Sequence, residues 1–257
     1  MTQLLDALRV AQRDGRKLLV PYVMAGIPDE VTYPDALRAI EKHADAIEVG
    51  VPFSDPLMDG PVIAAAGERA IAAGMGPVRA LELTGAVAAT RPRALMTYYN
   101  PIHRIGEVEF CRRAAQTGFA GLIVPDLPLE ESESLRAAVG REGLAWIPLV
   151  APTTPPARVA RIADTCTGFV YAVSTLGVTG TRERLSERAA EVARRCKEAT
   201  DLPVLVGIGV SDAAQAGAAT READGVVIGS AVVRTLLEQG APATERFLAG
   251  IRSALAG

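Results

Sequence analysis

Hydrophobic positions along the chain gather into eight short, nearly continuous apolar runs, each followed by a longer stretch in which apolar residues recur at helical spacing. The runs are LLVPYVM (18–24), ADAIEV (44–49), ALMTYY (94–99), GLIV (121–124), AWIPLV (145–150), FVYAV (169–173), PVLVGI (203–208) and GVVIG (225–229). Strands without polar alternation suit a parallel sheet covered on both faces. The stretches between them include PDEVTYPDALRAIEKH, PVIAAAGERAIAAG and TRERLSERAAEVARRCKEAT. They open on residues that start helices and often end on glycine or a basic residue. Eight strand–helix units in succession predict an α/β fold closed as a single-domain (β/α)8 barrel over residues 1–257. An extra N-terminal amphipathic helix is expected in MTQLLDALRVAQRDGRKLL. A doubly wound sheet is the alternative, but no Gly-x-Gly-x-x-Gly follows the first run, and GIGVSD at 207–212 carries only its first two glycines.

Composition narrows the class. A chain of 257 residues that is 49% apolar can bury a large core. The net charge of −3 is mild and the arginines are scattered, so a small-molecule ligand is favoured over nucleic acid or a membrane surface. Cys111, Cys166 and Cys196 are odd in number and far apart, which fits a reducing compartment and offers no zinc spacing. The N-terminus lacks the apolar core of a signal peptide, and no run reaches the roughly 18 apolar residues of a membrane span. A soluble, cytoplasmic protein is expected.

The chemistry concentrates in ADAIEVGVPFSDPLMDG (44–60). Glu48 stands near the end of the second strand, where a barrel builds its active face, flanked by Ile47 and Val49. Poor solvation there would raise its pKa and let it both give and take a proton; a structural carboxylate is the competing reading. Asp55 and Asp59 follow in a loop broken by two prolines and a glycine. Asp55 reads as a loop organiser, whereas Asp59, just before Gly60-Pro61 and a helix, can reach over the barrel mouth. STLGVTGTRERL, GIGVSD and GVVIGSAVV each place glycine at a strand end ahead of a helix. This pattern assigns a phosphate to Gly180, Gly209, Gly229 and Ser230, unless these glycines only relieve tight turns. The chain has three lysines, Lys17, Lys42 and Lys197, none at the catalytic end, and its two histidines, His43 and His103, form no metal cluster with acids. Carboxylate acid–base catalysis on a phosphorylated substrate is what remains.

In order along essentially the whole chain, EVGVPFSDPLMDGP, YNP, VPDLP, STLGVTG, GIGVS and VIGSA resemble the tryptophan synthase alpha subunit family. The resemblance implies a TIM barrel that cleaves indole-3-glycerol phosphate into indole and glyceraldehyde 3-phosphate. It makes Glu48 the proton donor and acceptor at the carbon that is cut and Asp59 the group that holds the indole nitrogen. It makes Thr179 the partner of Asp59 on loop closure, with Gly180 on the phosphate. Tyr171 would line the cavity near Glu48, and Tyr22, Tyr98 and Ile208 would flank the indole, although each of these also suits barrel core. The implied partner is a beta subunit in an alpha2beta2 complex, docked through Asp55, Pro56 and the segment around Asn100-Pro101. Pyridoxal phosphate would belong to that subunit and no cofactor to this chain. Departures from the family pattern are Met24 for threonine, Met58 for alanine, Ala64 for glutamine and Thr175-Leu176 for Ser-Arg; none removes a proton-transfer group. Two rivals are a phosphosugar isomerase with Glu48 as base, and a non-catalytic subunit that only activates a partner.

Overall fold

The computed structural model describes residues 2–13, 15–173, 182–207 and 212–256. Its described strands are β1 (Leu18–Met24), β2 (Ile47–Gly50), β3 (Arg93–Met96), β4 (Phe119–Ile123), β5 (Ala145–Trp146), β6 (Leu149–Val150), β7 (Val170–Val173), β8 (Val204–Gly207) and β9 (Gly225–Ile228). All pair in parallel, in the order β5-β4-β3-β2-β1-β9-β8-β7-β6. β5 and β6 are two halves of the predicted run 145–150. Ala145 and Trp146 pair with β4, and Leu149 and Val150 pair with β7. The two ends of the sheet therefore meet in one stretch of chain, and the nine segments make an eightfold TIM barrel. The break falls at Pro148, which has no N–H to give to the ladder.

The strands are no longer than their apolar runs except β4, which begins two residues before its run, at Phe119, and ends one residue short of it, at Ile123. The third departs most. β3 ends at Met96, and a helix begins at Tyr99 (Tyr99–Ile105), so Tyr98 stands before a helix rather than in the strand predicted to 99. The crossover after β2 holds two helices, Pro61–Ala72 and Pro77–Gly85, each with proline at its start after a glycine. The final helix, Ser230–Ala254, is kinked where Gly240 takes φ 76° ahead of Pro242.

The expected N-terminal helix is Gln3–Arg13. Its Leu4, Leu8 and Ala11 pack with the inward residues Leu18, Val20, Ala46, Ala94, Ala120 and Phe169, closing the barrel floor. The larger apolar cluster lies between the sheet and the outer helices. At the floor end, Asp45 accepts from the Leu19 amide at 2.8 Å and from Arg252 Nη2 at 2.6 Å, which ties the last helix to β1. No helix among the described residues is long and apolar enough to cross a membrane.

Candidate functional site

Alternation from the barrel floor decides which side chains reach the mouth. Ala46, Ala94, Ile147, Phe169 and Leu205 lie in the interior, so Glu48, Met96, Leu149, Tyr171 and Gly207, two residues further on, form the next layer. Tyr22 joins it from β1, two residues after Val20 and in register with Glu48. The same period turns Ile47 and Val49 outward against the helices. This layer borders a cavity of about 140 Å³ that is also lined by Met58, Asp59, Gly60 and Ile63 and by Pro125, Val173 and Gly229.

Two glycines that carry no role in the sequence reading make room for this layer. A methyl group on Gly50 would overlap the ring and hydroxyl of Tyr22, and one on Gly207 the ring of Tyr171. Neither has a positive φ, so space rather than dihedral freedom requires them. The available signal is their position, one interior step beyond Glu48 and Leu205.

Glu48 is 3% exposed. The Tyr171 hydroxyl donates to its carboxyl group, and Oε2 finds no hydrogen-bond partner among the described residues. Burial, reinforced by the charge of Asp59 and opposed by the Tyr171 hydrogen bond, pushes the Glu48 pKa up to about 8. Burial likewise raises Asp59 to about 6, against a hydrogen bond from Tyr98 that favours its ionised form. The Tyr98 hydroxyl donates to Asp59 and accepts the Met58 amide at 2.9 Å, so one phenol latches the 53–60 loop over the cavity. Phe53 stacks on the same ring at 5.1 Å between centroids. The sequence reading gave Tyr98 only apolar bulk; the hydroxyl's role depends on the early end of β3. Burial raises the pKa values of Tyr22 and Tyr171, which keeps both phenols protonated.

Gly229 borders the cavity and precedes the helix that begins at Ser230, whose first amides supply the positive end of a helix dipole. Thr179, Gly180, Ile208 and Gly209 lie outside the described residues, as does the Thr175-Leu176 departure. Met24 accepts the Tyr22 hydroxyl through Sδ at 3.7 Å, Met58 sits at the cavity rim, and Ala64 is on the helix Pro61–Ala72. The lysines are engaged elsewhere: Lys17 on the Ala223 carbonyl, Lys42 on Glu245 and Lys197 on Asp224. Among the described residues, no group of three or more His, Cys, Asp or Glu side chains is placed to hold a metal ion. The arrangement offers two carboxyl groups, Glu48 raised further than Asp59, lining one small, largely apolar chamber.

The family model for the tryptophan synthase alpha chain matches residues 8–251. Among similar proteins, the tryptophan synthase alpha chain of Streptomyces coelicolor is 43% identical over 256 residues, covering 96% of this chain and 92% of the relative. That of Methanocaldococcus jannaschii is 40% identical over 235 residues, covering 90% and 84%. Among solved structures, the open form of tryptophan synthase from M. tuberculosis superposes with a TM-score of 0.91 at 37% identity, over 100% of this chain and 99% of that one. Tryptophan synthase subunit alpha from Legionella pneumophila gives 0.90 at 29% identity, over 99% and 98%. With the family model spanning nearly the whole barrel and the fold shared throughout, the chain belongs to the tryptophan synthase alpha chain family.

Proposed function

We propose that Glu48 moves the protons at the bond that breaks and that Asp59 holds the indole nitrogen. The chain is a carbon–carbon lyase of its family, cleaving indole-3-glycerol phosphate to indole and glyceraldehyde 3-phosphate. The observation that carries the assignment is the buried Glu48 carboxyl group, partnered by Tyr171 and with Oε2 unpartnered beside the cavity. With a pKa of about 8 it holds a proton near neutrality and, once it has given that proton up, takes another readily. Protonation of indole C3 turns the ring into an electron sink. Loss of the adjacent hydroxyl proton to Glu48 then lets the carbon–carbon electrons flow into the ring as the aldehyde forms. Asp59, ionised above about pH 6, accepts the indole N–H and stabilises the positive charge that the ring carries between the two transfers.

In the same reading Tyr171 orients Glu48, Tyr22, Tyr98 and Ile208 flank the indole, and Thr179 partners Asp59. Gly180, Gly209, Gly229 and Ser230 hold the phosphate. The indole ring is its own electron sink, so the chain needs no cofactor; pyridoxal phosphate belongs to the beta subunit. That subunit docks at the active face in an alpha2beta2 complex in the cytoplasm. Leu57, 84% exposed between Pro56 and Met58, and exposed Asn100 support this docking face, while Pro101 is buried and contributes through the backbone it fixes.

The test is indole release from indole-3-glycerol phosphate by the purified chain, alone and with a beta subunit. Release that rises with the partner is the expected result. No cleavage under either condition would favour the isomerase or the purely regulatory reading.

A pH prediction follows from the two carboxyl groups. The value of kcat/KM should rise as Asp59 ionises near pH 6 and fall as Glu48 ionises near pH 8. Tyr98→Phe removes a donor that favours the Asp59 anion, so the Asp59 pKa rises and the acid limb moves to higher pH while the alkaline limb stays. A pH–rate profile in which only the alkaline limb moves would show that Asp59 does not set the acid limb.

A further inference from the structure

The split in the fifth barrel strand opens the wall beside the catalytic cavity. Ile147 N donates to the Leu122 carbonyl at 3.0 Å, the last link toward β4, while the chain entering β7 is met by the Trp146 carbonyl, which accepts from Thr167 N at 3.1 Å, and by the Pro148 carbonyl, which accepts from Tyr171 N at 3.0 Å. Beyond that point β6 pairs with β7 and not with the chain after β4 (Val124–Leu129). A second cavity of about 240 Å³ fills the gap, walled by Trp146, Leu127, Leu129 and Ile162. Met58, Pro125, Leu149 and Val173 line both cavities, so the two share one wall.

Chemistry selects the occupant. The walls are mostly apolar, with Asp126, Ser132, Thr154 and Arg158 as the polar residues, and the volume is below the roughly 300–1,000 Å³ of drug-sized pockets, which suits a single bicyclic ring. Arg158, the one cation among the described lining residues, is held by Glu130 through two hydrogen bonds of 2.7 Å. Asp126 adds an acidic group whose Oδ1 takes the Tyr99 amide at 2.9 Å. A phosphorylated molecule would meet a paired cation and an unfavourable charge. A neutral aromatic with one N–H donor meets apolar walls, the Trp146 ring and a carboxyl acceptor.

We infer that this lateral cavity between the fourth and fifth strands is a second site for indole, holding the product after it leaves the catalytic cavity. The inference rests on the cleavage reaction above for its ligand, but its test does not require turnover. Crystals of the whole chain equilibrated with 5-bromoindole should show two bromine positions by anomalous scattering, one beside Glu48 and one beside Trp146. Ala151 lines the lateral cavity and not the catalytic one. Ala151→Phe should therefore fill the lateral cavity, reducing 5-bromoindole bound at saturation in equilibrium dialysis from two molecules per chain to one, while indole release from substrate persists. Bromine beside Glu48 alone in the wild type, or two molecules still bound by a folded Ala151→Phe, would overturn the site. Loss of indole release in the wild-type assay would instead strike the reaction and leave the bromine positions to be judged separately.

Discussion

Glu48→Gln is expected to lower kcat for indole release by about 10³-fold, within the range that a positioned general acid–base supplies, with little change in KM. In barrier terms this is about 4 kcal/mol. Glutamine keeps the shape and can still accept the Tyr171 hydrogen bond, but it can neither give a proton to indole C3 nor take one from the glycerol hydroxyl. The loss therefore falls on the transition state rather than on binding. A second readout separates chemistry from damage to the fold. The Glu48 pKa is raised by burial to about 8 in the folded chain from its ordinary 4.5, so the folded state keeps a proton that the unfolded state releases. Stability contributed by this group is full below about pH 4.5 and declines as pH rises through about 8. Glu48→Gln, which never ionises, should thus be more stable than the wild type above pH 8, as thermal unfolding at several pH values would show. A variant that loses activity and is less stable at every pH would mean that the substitution disrupts the barrel. A variant that keeps its activity would remove Glu48 from the mechanism.

The inward position of Glu48 was legible in the sequence because the alternation that buries Ala46 continues through it, and because a parallel barrel exposes only strand ends. Asp59 was legible from the loop punctuation that follows. The Tyr98 latch was not, since ALMTYY reads as one strand and the chain leaves the ladder at Met96 to start a helix at Tyr99. Nor does the apolar run 145–150 announce that it pairs with one neighbour before Pro148 and with the other after it; only the proline hints at a break. Residues far apart in sequence were least visible. Glu41 ends a helix and Arg93 begins β3, and nothing in either segment names the other.

That pair sets the second large expectation, a stability loss of about 3–5 kcal/mol in Arg93→Met, the usual cost of removing one partner from a buried ion pair. Arg93 and Glu41 are each 2% exposed, joined by Nη2 and Nε to Oε1 at 2.7 and 3.0 Å. Nη1 also donates to the Thr84 and Val87 carbonyls at 2.8 Å, and Thr90 Oγ1 donates to Glu41 Oε2 at 2.9 Å. Methionine fills much of the volume but leaves a buried carboxylate without its cation and two carbonyls without their donor. Such a loss is a large part of the roughly 5–15 kcal/mol that holds a typical domain together. Adding Glu41→Leu should recover only part of it, because the carbonyls of Thr84 and Val87 remain unserved. Arg93 starts β3 and Met96, at its other end, lines the cavity that holds Glu48, roughly 10 Å further along the strand. The folded fraction of Arg93→Met should therefore cleave substrate with wild-type kcat, measured at low temperature against its denaturant midpoint. A normal midpoint would show that the pair contributes little net stability, and a lowered kcat in fully folded protein would show that the floor of the barrel shapes its mouth.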